Sequence, residues 1–163
     1  MTGPTRFPEQ SALSWRCLPF DALSASSLYR LLRLRSEVFV VEQACLFLDM
    51  DDVDPHCLHV LGEQVSPGAQ PSLLAATRLV PPGIAFQEAS IGRVVTAPSA
   101  RGGGLGHVLM SESVRLLLSL WGPQHIRIGA QAHLEHFYRQ HGFEPAGRSY
   151  VEDGIPHIEM LRH

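Results

Sequence analysis

Apolar residues along the chain follow two periods, and the order in which those periods alternate predicts a sheet with helices packed on it. Residues 15–20 read as a short first strand. A helical pattern then runs from about residue 22 to residue 35, with Asp21 as its N-cap. Leu28, Leu31 and Leu32 mark its buried stripe, and Arg35 falls on that stripe at i+7. Residues 38–41 read as a short helix or turn, and 44–57 as an acidic loop carrying Asp49, Asp51, Asp52 and Asp54. Residues 57–63 and 72–80 form consecutive antiparallel strands joined by a turn-rich segment around Pro67-Gly68. Pro81-Pro82-Gly83 ends the second, and residues 89–97 form a central strand. A helix opening at Leu105 carries Leu105, Val108, Leu109, Leu116 and Leu120 on one face, is interrupted there by Glu112, and stops near Gly122-Pro123. Residues 126–131 are a strand and 134–140 a short helix ending at Gly142. Residues 146–151 and 156–161 are two last strands joined by Glu152-Asp153-Gly154.

That order gives an α/β (α+β) fold, a mixed sheet flanked by helices. Residues 1–13 are polar and proline-rich and are expected to be a flexible tail, leaving 14–163 as a single domain. A hydrophobic content of 45% with 18% charged residues places the chain among ordinary soluble globular proteins. The net charge of -3 argues against a nucleic-acid partner, which calls for a basic stripe. No window has the length of apolar chain that a membrane span needs, and the N-terminus lacks the apolar core of a signal peptide. Cys17, Cys45 and Cys57 are odd in number and show no Cys-x-x-Cys spacing. They are expected as small hydrophobes or free thiols in a cytoplasmic protein.

Chemistry enters between Ile91 and Met110. A β-branched run stops at Pro98, Arg101 and three glycines follow, and an apolar helical pattern begins at once. Arg101 to His107 are then expected to present a row of backbone N–H groups at the positive end of a helix, with glycines admitting a bulky anion close to the backbone. Strand, glycine turn and helix N-terminus in that order make a pyrophosphate cradle. Two nucleotide-binding alternatives miss. A Walker loop needs Lys-Ser or Lys-Thr after its last glycine, where this chain has His107-Val108. A Gly-x-Gly-x-x-Gly fingerprint fails at His107 counted from Gly102 and at Leu109 counted from Gly104.

Arg101-Gly102-Gly103-Gly104-Leu105-Gly106 resembles the Arg/Gln-x-x-Gly-x-Gly/Ala loop of the GNAT superfamily of acetyl-coenzyme A-dependent N-acyltransferases. Phe137-Tyr138-Arg139-Gln140-His141-Gly142-Phe143 resembles the superfamily's Phe-Tyr-x-x-x-Gly-Phe, and the two motifs occur in the right order. The segments 35–43, 129–134 and 152–158 look like the ElaA branch of predicted N-acyltransferases. The Arg-x-x-Val-Phe segment at Arg35 is also similar to acyl-homoserine lactone synthases, which share the fold. The resemblance implies a mostly antiparallel twisted sheet of about six to seven strands, splayed at the central strand.

It also implies a site. The pantetheine arm would pair like an added strand with Val94, Val95 and Thr96, where a backbone N–H would meet the oxyanion of the tetrahedral intermediate. The pyrophosphate would lie over Arg101, Gly102, Gly103, Gly104, Leu105, Gly106 and His107. Phe137 belongs to the same cofactor wall, and Gln131 offers an amide donor where many members carry Asn. Leu134, in place of a frequent small residue, would narrow the groove. Tyr138 stands where the family usually places the general acid for the departing thiolate.

A Lys-type amine acceptor has a pKa of about 10.4, so a base must take its proton. Glu42, expected among Val40, Val41 and Phe47 with a raised pKa, and His157, at the start of the last strand, are the candidates. Arg35 on a buried stripe needs a counter-ion, an acidic-loop Asp ahead of a substrate carboxylate. No metal is expected. The pairs His56/His59 and His133/His136 lack a third ligand in a known pattern, and Val53 and Asp54 spoil the calcium-loop pattern that starts at Asp49. The expected activity is transfer of an acetyl or short acyl group from acetyl-coenzyme A to a small-molecule or peptide amine, by a monomer or homodimer. The acidic loop favours a cationic acceptor. An acyl-homoserine lactone synthase-like enzyme and a non-catalytic acyl-coenzyme A sensor are the alternatives.

Overall fold

The computed structural model describes residues 12–163. Residues 1–11 of the expected tail lie outside the described residues, while Ala12 and Leu13 already belong to the first strand. Seven strands follow: β1 Ala12–Pro19, β2 Leu58–Val65, β3 Ser72–Val80, β4 Ser90–Thr96, β5 Ile126–Gln131, β6 Phe143–Glu152 and β7 Ile155–Arg162. They form two antiparallel sheets, ordered β1-β2-β3-β4 and β5-β7-β6. Three α-helices, α1 Ala25–Arg35, α2 Leu105–Trp121 and α3 Glu135–Arg139, complete the fold.

The first helix starts later than its periodicity predicts. Residues 20–22 form a 3-10 turn, and Ser24 rather than Asp21 is the N-cap, its hydroxyl accepting from the Ser27 N–H at 3.1 Å. Its buried residues are Ser27, Leu31, Leu34 and Arg35, with Leu28 and Leu32 only half-buried. The chain continues through Ser36–Glu42 as a π-helical segment, wider than the short helix or turn expected at 38–41.

In α2 the buried face is rotated from the predicted one. Leu109, Met110, Ser113, Val114 and Leu117 are buried, whereas Val108 and Leu120 are exposed. The helix is apolar around most of its girth, so apolar spacing alone does not fix its orientation, and the polar Ser113 hid part of the core face. Ser113 is satisfied there by the Thr77 hydroxyl at 2.7 Å. Glu112 lies off this face and pairs with Arg115, with contacts of 2.6 and 3.0 Å.

One core joins Val60, Leu79 and Ile91 of the first sheet to Ile128 and Met160 of the second and to Met110 and Leu117 of α2. The other packs Leu31, Leu34 and Val38 on Leu61, Ala76 and Val95. Val60 and Leu61 are neighbours on β2 and point to opposite faces, so α1 and α2 cover the two faces of the first sheet. Cys17, Cys45 and Cys57 are free thiols, and burial pushes Cys57 up to about 11.

The acidic loop is stitched down by three arginines. Arg35, 1% exposed, donates to Asp49 Oδ2 at 2.8 Å and forks onto Asp54 at 2.8 and 3.1 Å. Arg78 forks onto Asp51 at 2.6 and 2.8 Å and also reaches Asp54 at 3.0 Å. Arg93 donates to Asp49 Oδ1 at 2.8 Å. The counter-ions of Arg35 are therefore acidic-loop aspartates, and the carboxylates of the apparent calcium pattern are occupied by guanidinium groups.

This network sets an acid limit on stability. Burial raises the Asp54 carboxyl, but the hydrogen bonds and charges of Arg35 and Arg78 outweigh it and leave the group below its ordinary value. At Asp51 the hydrogen bond from Arg78 dominates and holds the carboxyl far down. Both are depressed in the folded state, so their contribution is full above the unfolded carboxylate pKa of 3.8 and is lost as pH falls below it. Urea midpoints should therefore fall steeply below that pH in the wild type, and less steeply in Asp51→Asn.

Candidate active site

The two sheets meet at one point and part from there. Ala89 and Ile126 make a single parallel bridge, with the Arg127 N–H donating to the Ala89 carbonyl at 2.9 Å. Beyond it β4 pairs with β3 and β5 pairs with β7, so the edges they turn to each other carry no ladder among the described residues. A cavity of about 740 Å³ opens in this wedge. Glu42, Val94, Val95, Thr96, Arg101, Gln131, Tyr138 and His157 all line it. The glycine turn that follows Arg101, and Phe137, lie outside that lining.

A bulge shapes β4 where the wedge opens. Ala76 faces Val95 and Arg78 faces Gly92, which leaves Arg93 and Val94 opposite Thr77 alone. Arg93 adopts φ +49°, an uncommon conformation for a residue with a Cβ. Its guanidinium fixes that geometry from outside, gripping Asp49 through the carboxylate at 2.8 Å and the backbone carbonyl at 2.9 Å. The bulge and the acidic loop are thus one mechanical unit.

The glycine turn differs in detail from the expected row of donors. The Arg101 N–H reaches the Pro98 carbonyl at 3.5 Å and the His107 N–H donates to the Gly104 carbonyl at 3.1 Å, so the row narrows to residues 102–106. Gly102 and Gly104 adopt φ of +94° and +80°, which accounts for glycine at both. Gly103 does not have a positive φ, and a Cβ built on it meets no atom within 4 Å. Neither its own conformation nor internal packing demands glycine there. Phe137 packs behind the turn, its ring 3.6 Å from the position of a Cβ on Gly106 and 4.7 Å from the His107 ring centroid.

Arg101 and Glu42 stand in a relation the sequence did not reveal. Arg101 Nη1 donates to Glu42 Oε1 at 2.7 Å, and Nη2 reaches the Thr96 carbonyl at 3.3 Å. The Glu42 side chain is 40% exposed and Val41 73% exposed. The expected apolar setting of Glu42 is therefore absent, and Arg101 faces the strand and Glu42 rather than standing free beside the turn.

Tyr138 is 6% exposed, its ring edge-on to Phe137 and Phe143, and burial pushes its phenol up to about 12. His157 Nδ1 lies 2.7 Å from the Ile155 carbonyl. A carbonyl only accepts, so Nδ1 carries the proton and Nε2 of the neutral ring keeps its lone pair. Glu152 stands 3.8 Å from that Nε2. Gln131 Nε2 reaches Gln43 at 3.4 Å.

Tyr150 completes the wall. Its ring stacks on His157 with centroids 5.4 Å apart, and a Cβ at Gly129 would overlap its hydroxyl. A glycine inside a strand signals close approach of this kind, so Gly129 was the legible sign of a neighbour, though not of which one. Of the two histidine pairs set aside as metal ligands, His59 is buried with Nε2 on the Asp54 carbonyl at 3.0 Å, and His136 contacts Gln140 at 3.1 Å.

Residues 68–162 match the family described as acetyltransferase (GNAT) domain. The chain is 39% identical over 152 residues to protein ElaA of Escherichia coli (strain K12), covering 92% of this chain and 96% of that protein. The crystal structure of Escherichia coli ElaA superposes with a TM-score of 0.83 at 38% identity, covering 93% of this chain and all (100%) of that one. An acyl-CoA N-acyltransferase from Pseudomonas aeruginosa gives a TM-score of 0.83 at 39% identity, with 93% and 100% covered.

Proposed function

The chain belongs to the GNAT acetyltransferase family, and from that premise we propose that it moves an acetyl or short acyl group from coenzyme A to the primary amine of a small molecule or peptide. The observation that carries this reading is the wedge between β4 and β5, where one cavity brings together an unpaired strand edge, a buried phenol and an imidazole with a bare nitrogen. The chain from β1 onward, residues 12–163, acts as one catalytic domain.

Val94, Val95 and Thr96 receive the pantetheine arm along the open edge of β4, and a backbone N–H there stabilises the oxyanion when the amine attacks. Backbone groups of residues 102–106 hold the diphosphate, with Phe137 bracing the turn from behind and Gln131 supplying an amide to the arm. Tyr138 gives its proton to the departing thiolate. Burial keeps the phenol protonated throughout the neutral range, and a thiolate formed in the same desolvated space is itself made more basic. No step needs a metal.

His157 takes the amine proton. Its Nε2 is the acceptor in the neutral ring, and Glu152 stands by to stabilise the imidazolium that results. Glu42, paired to Arg101, holds the cavity rim instead. His157→Gln should flatten the acidic limb of the kcat/KM profile, and Glu42→Gln should keep that limb while raising KM. Loss of the limb in Glu42→Gln and its survival in His157→Gln would reverse the two roles. The acidic loop offers little to a cationic acceptor, because Asp49, Asp51 and Asp54 are taken by arginines and the exposed Asp52 lies outside the cavity lining. Glu152 and Asp153 at the β6–β7 turn are the carboxylates left facing the cavity.

The cofactor assignment has its own test. Gly103→Val adds branching where the fold has room and no positive φ to strain. It should leave the denaturation midpoint unchanged and weaken coenzyme A binding at least ~10-fold by calorimetry, since close backbone approach is lost. Unchanged affinity would remove the diphosphate from this turn.

A further inference from the structure

The turn is backed by a pair of histidines whose chemistry the backbone cradle leaves unused. His107 is the third residue of α2, and His141 follows α3. Their rings stack with centroids 5.2 Å apart, and His107 Nδ1 lies 3.0 Å from His141 Nε2. Phe137 touches both rings, at 4.7 and 5.2 Å between centroids, and holds them together. A hydrogen bond between two imidazole nitrogens needs one N–H and one lone pair. Two protonated rings would present N–H to N–H and break it. The pair as built therefore carries no charge or one positive charge, never two.

We propose that His107 and His141 form a single protonatable unit that binds the diphosphate of coenzyme A, so that the pair takes up a proton as the cofactor binds. The proposal rests on the cofactor reading of the glycine turn. Burial and the nearby His107 charge both depress His141, so the unit is readily neutral before the anion arrives. A diphosphate at the adjoining turn favours the charged form. One outer nitrogen then donates to a phosphate oxygen, the proton coming from solvent.

The other charged groups around the pair are accounted for. Arg162 of β7 donates from Nε to the His141 carbonyl at 3.1 Å, and Arg115 of α2 borders the same groove. On α3, Arg139 is held by Glu135 and by Glu144 of β6, and His136 contacts Gln140. Arg101, on the turn itself, is held by Glu42. His136 is the one further imidazole on α3, and His136→Gln is the control.

Dephospho-coenzyme A is the probe, because it keeps the diphosphate but lacks the 3′-phosphate that itself titrates near neutrality. Calorimetry in two buffers of different ionisation enthalpy, from pH 6 to pH 8, reads both affinity and protons taken up. The expected result is net uptake approaching one proton, with affinity tightening by up to about tenfold per pH unit as pH falls. His107→Gln and His141→Gln should each abolish the uptake and flatten the pH dependence, and His136→Gln should change neither. The C–H resonances of the two rings, followed by NMR in the wild type, should shift to higher pKa on binding even if a variant fails to fold. Tight binding without proton uptake, or uptake that persists in both variants, overturns the unit and leaves the cofactor site standing. No binding at any pH overturns both.

Discussion

Tyr138→Phe is expected to lower turnover by ~10²–10⁴-fold, the usual contribution of a positioned general acid, with coenzyme A affinity kept. The separation of the two effects follows from where the ring sits. Its edge contacts with Phe137 and Phe143 do not involve the hydroxyl, so phenylalanine preserves the wall of the cavity. Only the proton donor goes. A chemistry-limited single turnover is the measurement that reports it, because product release could mask the loss in steady state. Full single-turnover rate in the variant would return Tyr138 to a packing role. A matched loss of affinity would mean that the hydroxyl holds the cofactor rather than protonating it.

Arg35→Ala is expected to cost about 3–5 kcal/mol of folding stability, the range for breaking a buried ion pair from one side. Arg35 is 1% exposed and is shared between Asp49 and Asp54, both of which are buried. Arg78 still reaches Asp54 and Arg93 still reaches Asp49, so neither carboxylate is stripped of every partner. The guanidinium cavity and the lost fork on Asp54 remain uncompensated. Because Asp49 also anchors Arg93 at the β4 bulge, the same variant should disturb the strand edge assigned to the pantetheine arm. Urea denaturation gives the first quantity, and a loss below about 1 kcal/mol would show that the network is redundant at this position.

How much of this was legible in the chain depends on the range of the interaction. The spans 72–80 and 126–131 coincide with β3 and β5, because proline, glycine and polar residues close both ends of each run. The need of Arg35 for an aspartate was readable too, since a cation on an apolar stripe has few alternatives. Cap choice was not, because Asp21 and Ser24 are both good caps and the intervening 3-10 turn decides between them. The orientation of α2 was lost to its nearly continuous apolar surface. The partners in pairings across the fold were not legible. Arg101 meets Glu42 from 59 positions away, His107 meets His141 from 34, and no local period couples either pair. The motif residues 101–106 and 137–143 were visible because glycine and aromatic spacing is local. Which nitrogen of His157 is free depended on a carbonyl two residues away, visible only once the strand was built.

The central claim, that this cavity transfers an acyl group from coenzyme A to an amine, is tested most directly by incubating the protein with acetyl-coenzyme A and a panel of primary amines. Free thiol and acetylated amine are then followed together. The account predicts thiol release that depends on the amine, with one acetylated amine for each thiol and the rate lost in Tyr138→Phe. Tight cofactor binding with no amine-dependent release across aryl, alkyl, polycationic and peptide amines would contradict it and point to a sensor of acyl-coenzyme A.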